Sequence, residues 1–347
     1  MNSTPKTAII QTNSGKINGE DIYLFTFTNK AGNKVSITNY GGIVTEWVSP
    51  DKNGKISSIV VGFNEPEKYV ADNPHFGALV GRYANRIAKG KFSIGNENYT
   101  LATNNGENHI HGGIHNFSKV VWSASIANED TLALYYLSKH GEEGYPGNLS
   151  VTVKYRFTDD NELIIDYTAE TDKATVLNLT NHCYFNLTGD VNNKVFDHIV
   201  QINAGHYTPV NEHQIPTGVI ATVSGTPYDL TTAEKISTHI NETDGGYDHN
   251  YVLDNPALNK VAAVVSEVNS GRTLEVYTDQ PGVQFYTGNS LDGSHHTDDG
   301  HAITRQSALC LETQHFPDSP NHPSFPSTLL RPGEKFKSTT KYKLVCS

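Results

Sequence analysis

Two segments far apart in the chain carry the side chains best suited to moving protons. The first, ALCLETQHFPD (308–318), alternates Leu309 and Leu311 with Ala308 and Cys310. Both faces are apolar or small, so the segment reads as a strand buried on both sides. Glu312 continues the Cys310 face. A carboxylate held there needs hydrogen-bond partners or acquires a raised pKa, and a Glu shifted toward neutrality is what general-base chemistry requires. The bland alternative is a glutamate at a strand end, facing water. The second segment, NLTNHCYFNL (178–187), also has period two. Its polar positions are Asn178, Thr180, His182, Tyr184 and Asn186, with no charged residue among them. Such a face suits hydroxyl recognition, with Tyr184 available to stack on a sugar and His182 to exchange a proton. A lone strand histidine is otherwise a structural hydrogen-bonder.

Further candidates lie in glycine-rich segments. GRYANRIAKG carries Arg82 and Arg86, whose guanidinium forks suit ring and hydroxyl oxygens. In IHGG, His111 precedes two glycines that permit a close backbone approach. His109 and His111 form an HxH pair, but no third ligand follows at a convincing spacing, so no metal is expected. GGYDHNYVL offers Asp248 and His249, and DQPGVQFYTGN puts Gln284 and Tyr286 on one face of a strand.

Positioning these groups requires many strands. Runs such as IYLFTFTN, LSVTVKYRFT, ELIIDYTAE, RTLEVYTD and KYKLVCS alternate between turn-formers such as DKNGK, NNGEN and DQPG. That pattern predicts an all-β antiparallel sandwich or barrel. One short helix is predicted over TTAEKISTHI (231–240). With no repeat, low-complexity tract or linker, residues 1–347 read as a single domain. The loop-rich stretch 65–113 is long enough to be functional or to cover a sheet face. The LDGSHHTDDGHAI loop is assigned no chemistry.

The chain has 347 residues and a net charge of -11 without a basic cluster, which argues against nucleic acid or an anionic membrane as partner. The three cysteines, Cys183, Cys310 and Cys346, are too few and scattered for a disulfide framework. The amino terminus lacks a signal-peptide core, and no stretch is long and apolar enough to span a membrane. A soluble, cytoplasmic protein is expected.

Taken in order, GRYANRIAKG, IHGG, NLTNHCYFNL, GYDH, QPGVQFYTGN, LETQHFPD and LLRPGE resemble the galactose mutarotase (aldose 1-epimerase) family, from about Gly41 to Glu334. The resemblance implies a large antiparallel β-sandwich with a cleft across one sheet. It also implies a cofactor-free isomerase that interconverts the α and β anomers of hexoses such as galactose and glucose. By the same resemblance Glu312 is the base and His182 the acid, while Arg86, with Asn85 beside it, His111, Asp248 and Gln284 contact the sugar. Ile110 and Cys183 depart from the family's wording without expected cost. On this reading His182 starts protonated, its pKa raised by Asp248 or Glu312. A non-catalytic carbohydrate-binding sandwich, a glycoside hydrolase using Asp248 and Glu312, and a hexose-6-phosphate epimerase are the alternatives. The last needs a second basic residue, for which only Arg82 offers itself. The expected partner is a small free sugar, and the expected assembly a monomer or homodimer.

Overall fold

The computed structural model describes residues 8–71 and 73–347. The amino-terminal reading therefore falls partly on residues 1–7, outside the described residues. Strands dominate, as their alternation predicts. Nine of them form one antiparallel sheet, in the order Ser123–Asn128, Thr131–Ser138, Leu149–Phe157, Glu162–Thr171, Phe336–Cys346, Arg272–Thr278, Ala263–Glu267, Ile199–Ile202 and Glu234–Lys235. Leu149–Phe157 shows the period clearly: Leu149, Val151, Val153, Tyr155 and Phe157 are buried while the residues between them are not.

A five-stranded antiparallel sheet builds the floor of the cleft. Its order is Ala221–Thr222, His206–Thr208, Asp248–Val252, Gly282–Tyr286 and Cys310–Gln314. One face of this sheet, with Tyr251, Val283, Phe285, Leu309 and Leu311, enters the main core together with Tyr342 and Leu344 of the long sheet. The Tyr342 hydroxyl donates to the Leu311 carbonyl at 2.8 Å, joining the two layers. A further five-stranded meander, from Ala8–Ile17 to Ile56–Ser58, adds Phe25, Phe27, Ile37 and Trp47 to the same core. The architecture is thus the predicted all-β sandwich.

Two local expectations fail. The segment 231–240 is not an α-helix: Glu234–Lys235 is a strand pairing with Ile199–Val200, followed by 3-10 turns at Ile236–Thr238 and Ile240–Glu242. Its threonines and isoleucines are weak helix formers, and sheet pairing with burial of Ile236 and Ile240 outweighs a helical turn. NLTNHCYFNL is extended and fully buried but is not one regular strand. Only Thr180–Asn181 pairs as a strand, with Leu79–Val80, and Phe185 bridges to Leu309. This irregular segment threads between layers and lies beside the Cys310 strand.

Candidate active site

Register makes the floor of the site. Asn250 lies opposite Gln284, and Gln284 opposite Glu312; in the neighbouring row Asp248 lies opposite Tyr286, and Tyr286 opposite Cys310. Period two puts all six on the face away from the core. Above them opens a cleft of about 520 Å³. Its lining includes Asn85, Arg86, His111, His182, Tyr184, Asp248 and Glu312. Gln284 lies just beneath, its amide donating to Asp248 Oδ1 at 2.7 Å and its carbonyl accepting from Gln314 at 3.3 Å. The residues that the family resemblance assigns to the site, together with Tyr184, are thus gathered in one place.

One pair on this floor has acid–base character. His182 Nε2 lies 3.5 Å from Glu312 Oε1, and the two side chains are 6% and 3% exposed. Glu312 Oε2 is buried without a hydrogen-bond partner. Burial, reinforced by the nearby Asp248 charge and opposed by Arg86, holds the Glu312 carboxyl well above the usual carboxylate range. His182 moves the other way from the sequence expectation. Burial, with His75 adding to it, pushes its pKa down to about 3. No neighbouring carboxylate raises it. Both shifts favour the uncharged forms, a protonated Glu312 and a neutral imidazole. Neutral acid plus neutral imidazole has the same number of protons as carboxylate plus imidazolium. Moving one proton across a single contact converts one state into the other.

Tyr184 stacks on the His182 ring, with centroids 5.0 Å apart and planes 21° from parallel. His111 stands edge-on to it at 5.3 Å. The backbone N–H of Asn85 donates to His111 Nδ1 at 3.2 Å. The neutral ring therefore carries its proton on Nε2, as a donor, and burial keeps it neutral by pulling its pKa well below the ordinary value. Gly112 makes this approach possible: at φ +83° a Cβ there would lie 1.9 Å from the Gly81 carbonyl oxygen. His111, His182 and Glu312 place ligand atoms within 4.8 Å of one another. A ligating histidine normally donates its other N–H to an acceptor, whereas here the other nitrogen of His111 meets a donor. The trio is built for hydrogen bonding rather than for a cation. His109, two residues away, is in a separate place, bonded to the Ala102 carbonyl and the Tyr145 hydroxyl.

Sequence reasoning overstated one element. Of the polar residues in NLTNHCYFNL, only His182 and Tyr184 line the cleft. Asn178 donates to the carbonyls of Ala84 and His315, and Asn186 to those of Asp190, Asn193 and Ser307. Both amides fasten loops. Arg82 is also absent from the cleft, since its guanidinium is spent on backbone carbonyls of residues 138–146. Other residues were not anticipated. Arg86 donates to Asn105 Oδ1 and Gln214 Oε1, which hold it over the floor. His75 and Arg305 also line the cleft. His75 and Asn105 belong to the long loop-rich stretch whose length already marked it, whereas nothing in NEHQIP distinguishes Gln214.

Comparison with known proteins agrees with this geometry. The profile of the family described as aldose 1-epimerase matches residues 23–343. The chain is 47% identical to galactose mutarotase from Mus musculus over 310 residues, covering 89% of this chain and 90% of that one. It is 37% identical to aldose 1-epimerase from Escherichia coli strain K12 over 335 residues, covering 94% and 96%. The crystal structure of galactose 1-epimerase from Lactobacillus acidophilus superposes with a TM-score of 0.84 at 30% identity, covering 98% of each chain. With a profile spanning most of its length and relatives this close, the chain belongs to the aldose 1-epimerase family.

Proposed function

We propose that this chain interconverts the α and β anomers of free hexoses such as galactose and glucose, with Glu312 and His182 exchanging protons with the sugar. One observation carries the reading: a carboxyl and an imidazole 3.5 Å apart on the floor of an open polar cleft. The anomeric hydroxyl and the ring oxygen are bonded to one carbon. A base and an acid that must each come within about 2.6–3.2 Å of one of them have to be near neighbours themselves.

Ring opening moves one proton onto Glu312 from the anomeric hydroxyl. The C1–O bond to the ring oxygen breaks as the carbonyl forms, and the ring oxygen takes the Nε2 proton of His182. This leaves a neutral carboxylic acid and a neutral imidazole, the forms that burial favours. After the aldehyde end rotates, closure reverses each transfer on the other face. The buried pair therefore favours the open-chain stage, and no outside proton is consumed. The His111 Nε2–H and Arg86 donate to sugar oxygens, Asp248 accepts from distal hydroxyls, and Tyr184 keeps the imidazole in plane. Asn85 orients His111, and Gln284 orients Asp248.

A hydrolase would need Asp248 as partner to Glu312. Asp248 instead accepts from Gln284, and the imidazole is the group beside Glu312. A phosphorylated hexose gets no support from Arg82, which lies outside the cleft, and the second guanidinium at its edge, Arg305, is bonded to the Gly245 carbonyl. The free thiols of Cys183, Cys310 and Cys346 favour a cytoplasmic setting, and residues 1–347 acting as one domain, in a monomer or homodimer, is the expected unit. The decisive experiment follows freshly dissolved α-galactose and α-glucose by polarimetry. Glu312→Gln and His182→Asn are each expected to lose roughly a hundred- to ten-thousandfold in kcat. Near-normal exchange in either variant would overturn its role.

A further inference from the structure

The contact on the far side of the His182 ring is not used by the exchange described above. Cys310 is fully buried, and its Sγ lies 3.5 Å from His182 Nδ1. Cys310 and Glu312 are two residues apart on one strand, so a single strand addresses both nitrogens of the same imidazole. We propose that Cys310 is a positioning residue for this reaction: its sulfur accepts from His182 Nδ1–H, fixing the ring's tautomer so that Nε2 alone trades protons.

The alternative direction fails on hydrogen-bond inventory. If the thiol donated to Nδ1, the neutral ring would carry its proton on Nε2. That N–H could still donate to the unprotonated oxygen of the carboxyl, but Nε2 would then have no lone pair with which to take back the ring-oxygen proton at closure. With the sulfur as acceptor, Nδ1–H is satisfied and Nε2 accepts from Glu312. In the other protonation state Nε2–H donates to the carboxylate, and Nδ1 has not changed. The sulfur contact is thus compatible with both stages of the cycle, whereas a thiol donor would block Nε2 in the neutral stage and meet Nδ1–H in the charged one. Sulfur also differs from the carboxylate that orients histidine in many hydrolases. A carboxylate there stabilises the imidazolium and weakens it as an acid. Burial keeps the Cys310 thiol neutral, so it orients the ring without charging it. An imidazole left acidic is the better donor toward a weakly basic ring oxygen.

This inference rests on the proposed exchange but has a readout independent of it. Ring 15N shifts of His182 in the sugar-free protein report its tautomer, and polarimetry reports kcat and KM. The wild-type protein and Cys310→Ser are expected to show Nδ1–H, with kcat values within about threefold of each other. Cys310→Ala is expected to mix the tautomers and lose roughly tenfold in kcat, with KM moving by less than about twofold. An Nε2–H tautomer in the wild-type protein would overturn the proposal. So would a Cys310→Ala protein with unchanged tautomer and kcat, or a loss in Cys310→Ala that Cys310→Ser shares in full, which signals packing alone. If the wild-type protein does not speed anomer exchange, the functional reading fails, and the tautomer by itself still decides what Cys310 does.

Discussion

Arg82 and Arg86 lie four residues apart in one glycine-bounded segment, and their surroundings could hardly differ more. Arg82 is 2% exposed and donates to the Ser138 hydroxyl and to the carbonyls of Ser138, Lys139 and Pro146, all at 2.8–2.9 Å. Each acceptor belongs to the end of one strand and the turn that follows it. Arg86 donates to two side-chain amides, Asn105 and Gln214, at the edge of an open cleft. Main-chain carbonyls cannot turn away without unfolding their segment, while amides on loops can yield an N–H to a ligand. The lesson is that the partners, and not the residue type or its burial, separate a guanidinium that holds the fold from one that remains available for binding.

Three experiments would break or sharpen this contrast. Arg82→Ala leaves several buried carbonyls unpaired and should cost about 3 kcal/mol of stability in denaturant unfolding. Activity per folded molecule should then stay within about threefold of wild type. An equal loss of activity would merge the two arginines into one site. Arg86→Ala should do the reverse. Its kcat/KM should fall about a hundredfold, with a melting temperature within about 2 °C of wild type. The smallest effect concerns the floor. The Glu312 pKa is raised by folding above its ordinary 4.5, so the wild-type protein loses stability as pH rises through that value. Glu312→Gln lacks this loss. It should melt about 2 °C or more above wild type at pH 7, and the gap should close below about pH 4.5, where both side chains are neutral in the folded and unfolded states. A lower melting temperature at pH 7 would mean that the carboxyl is ionised and well paired in the folded protein.

Strand alternation made the faces of Glu312, Gln284 and Tyr286 legible, whereas Asn85, His111, His182 and Tyr184 lie off the regular strands, and the first three drew their roles from the family resemblance. Alternation alone put Cys310 with Glu312, and Gln284 with Tyr286, and one member of each pair, Glu312 and Tyr286, lines the cleft. Alternation misled at NLTNHCYFNL because polarity has two uses. Asn178 and Asn186 look like ligand-readers, yet they satisfy loop carbonyls that would otherwise be buried unpaired. The charge state of His182 was also unreadable. A neighbouring carboxylate raises a histidine's pKa only if it is ionised, and burial reverses that premise for Glu312. Gln214 reaches Arg86 from 128 residues away, across a loop without any distinguishing composition. The predicted helix failed because strand pairing at Glu234–Lys235 and burial of Ile236 and Ile240 outweigh a helical turn.

The side-by-side row of Asn250, Gln284 and Glu312 has a consequence for how this protein can go wrong. A strand that slips by one residue sends its amides and carboxyl into the apolar layer and its Val283, Phe285 and Leu311 into water. A misassembled copy should therefore be both inactive and prone to clump, with no half-working species between. In a preparation of this protein, the dissolved fraction and the titratable active fraction ought to coincide.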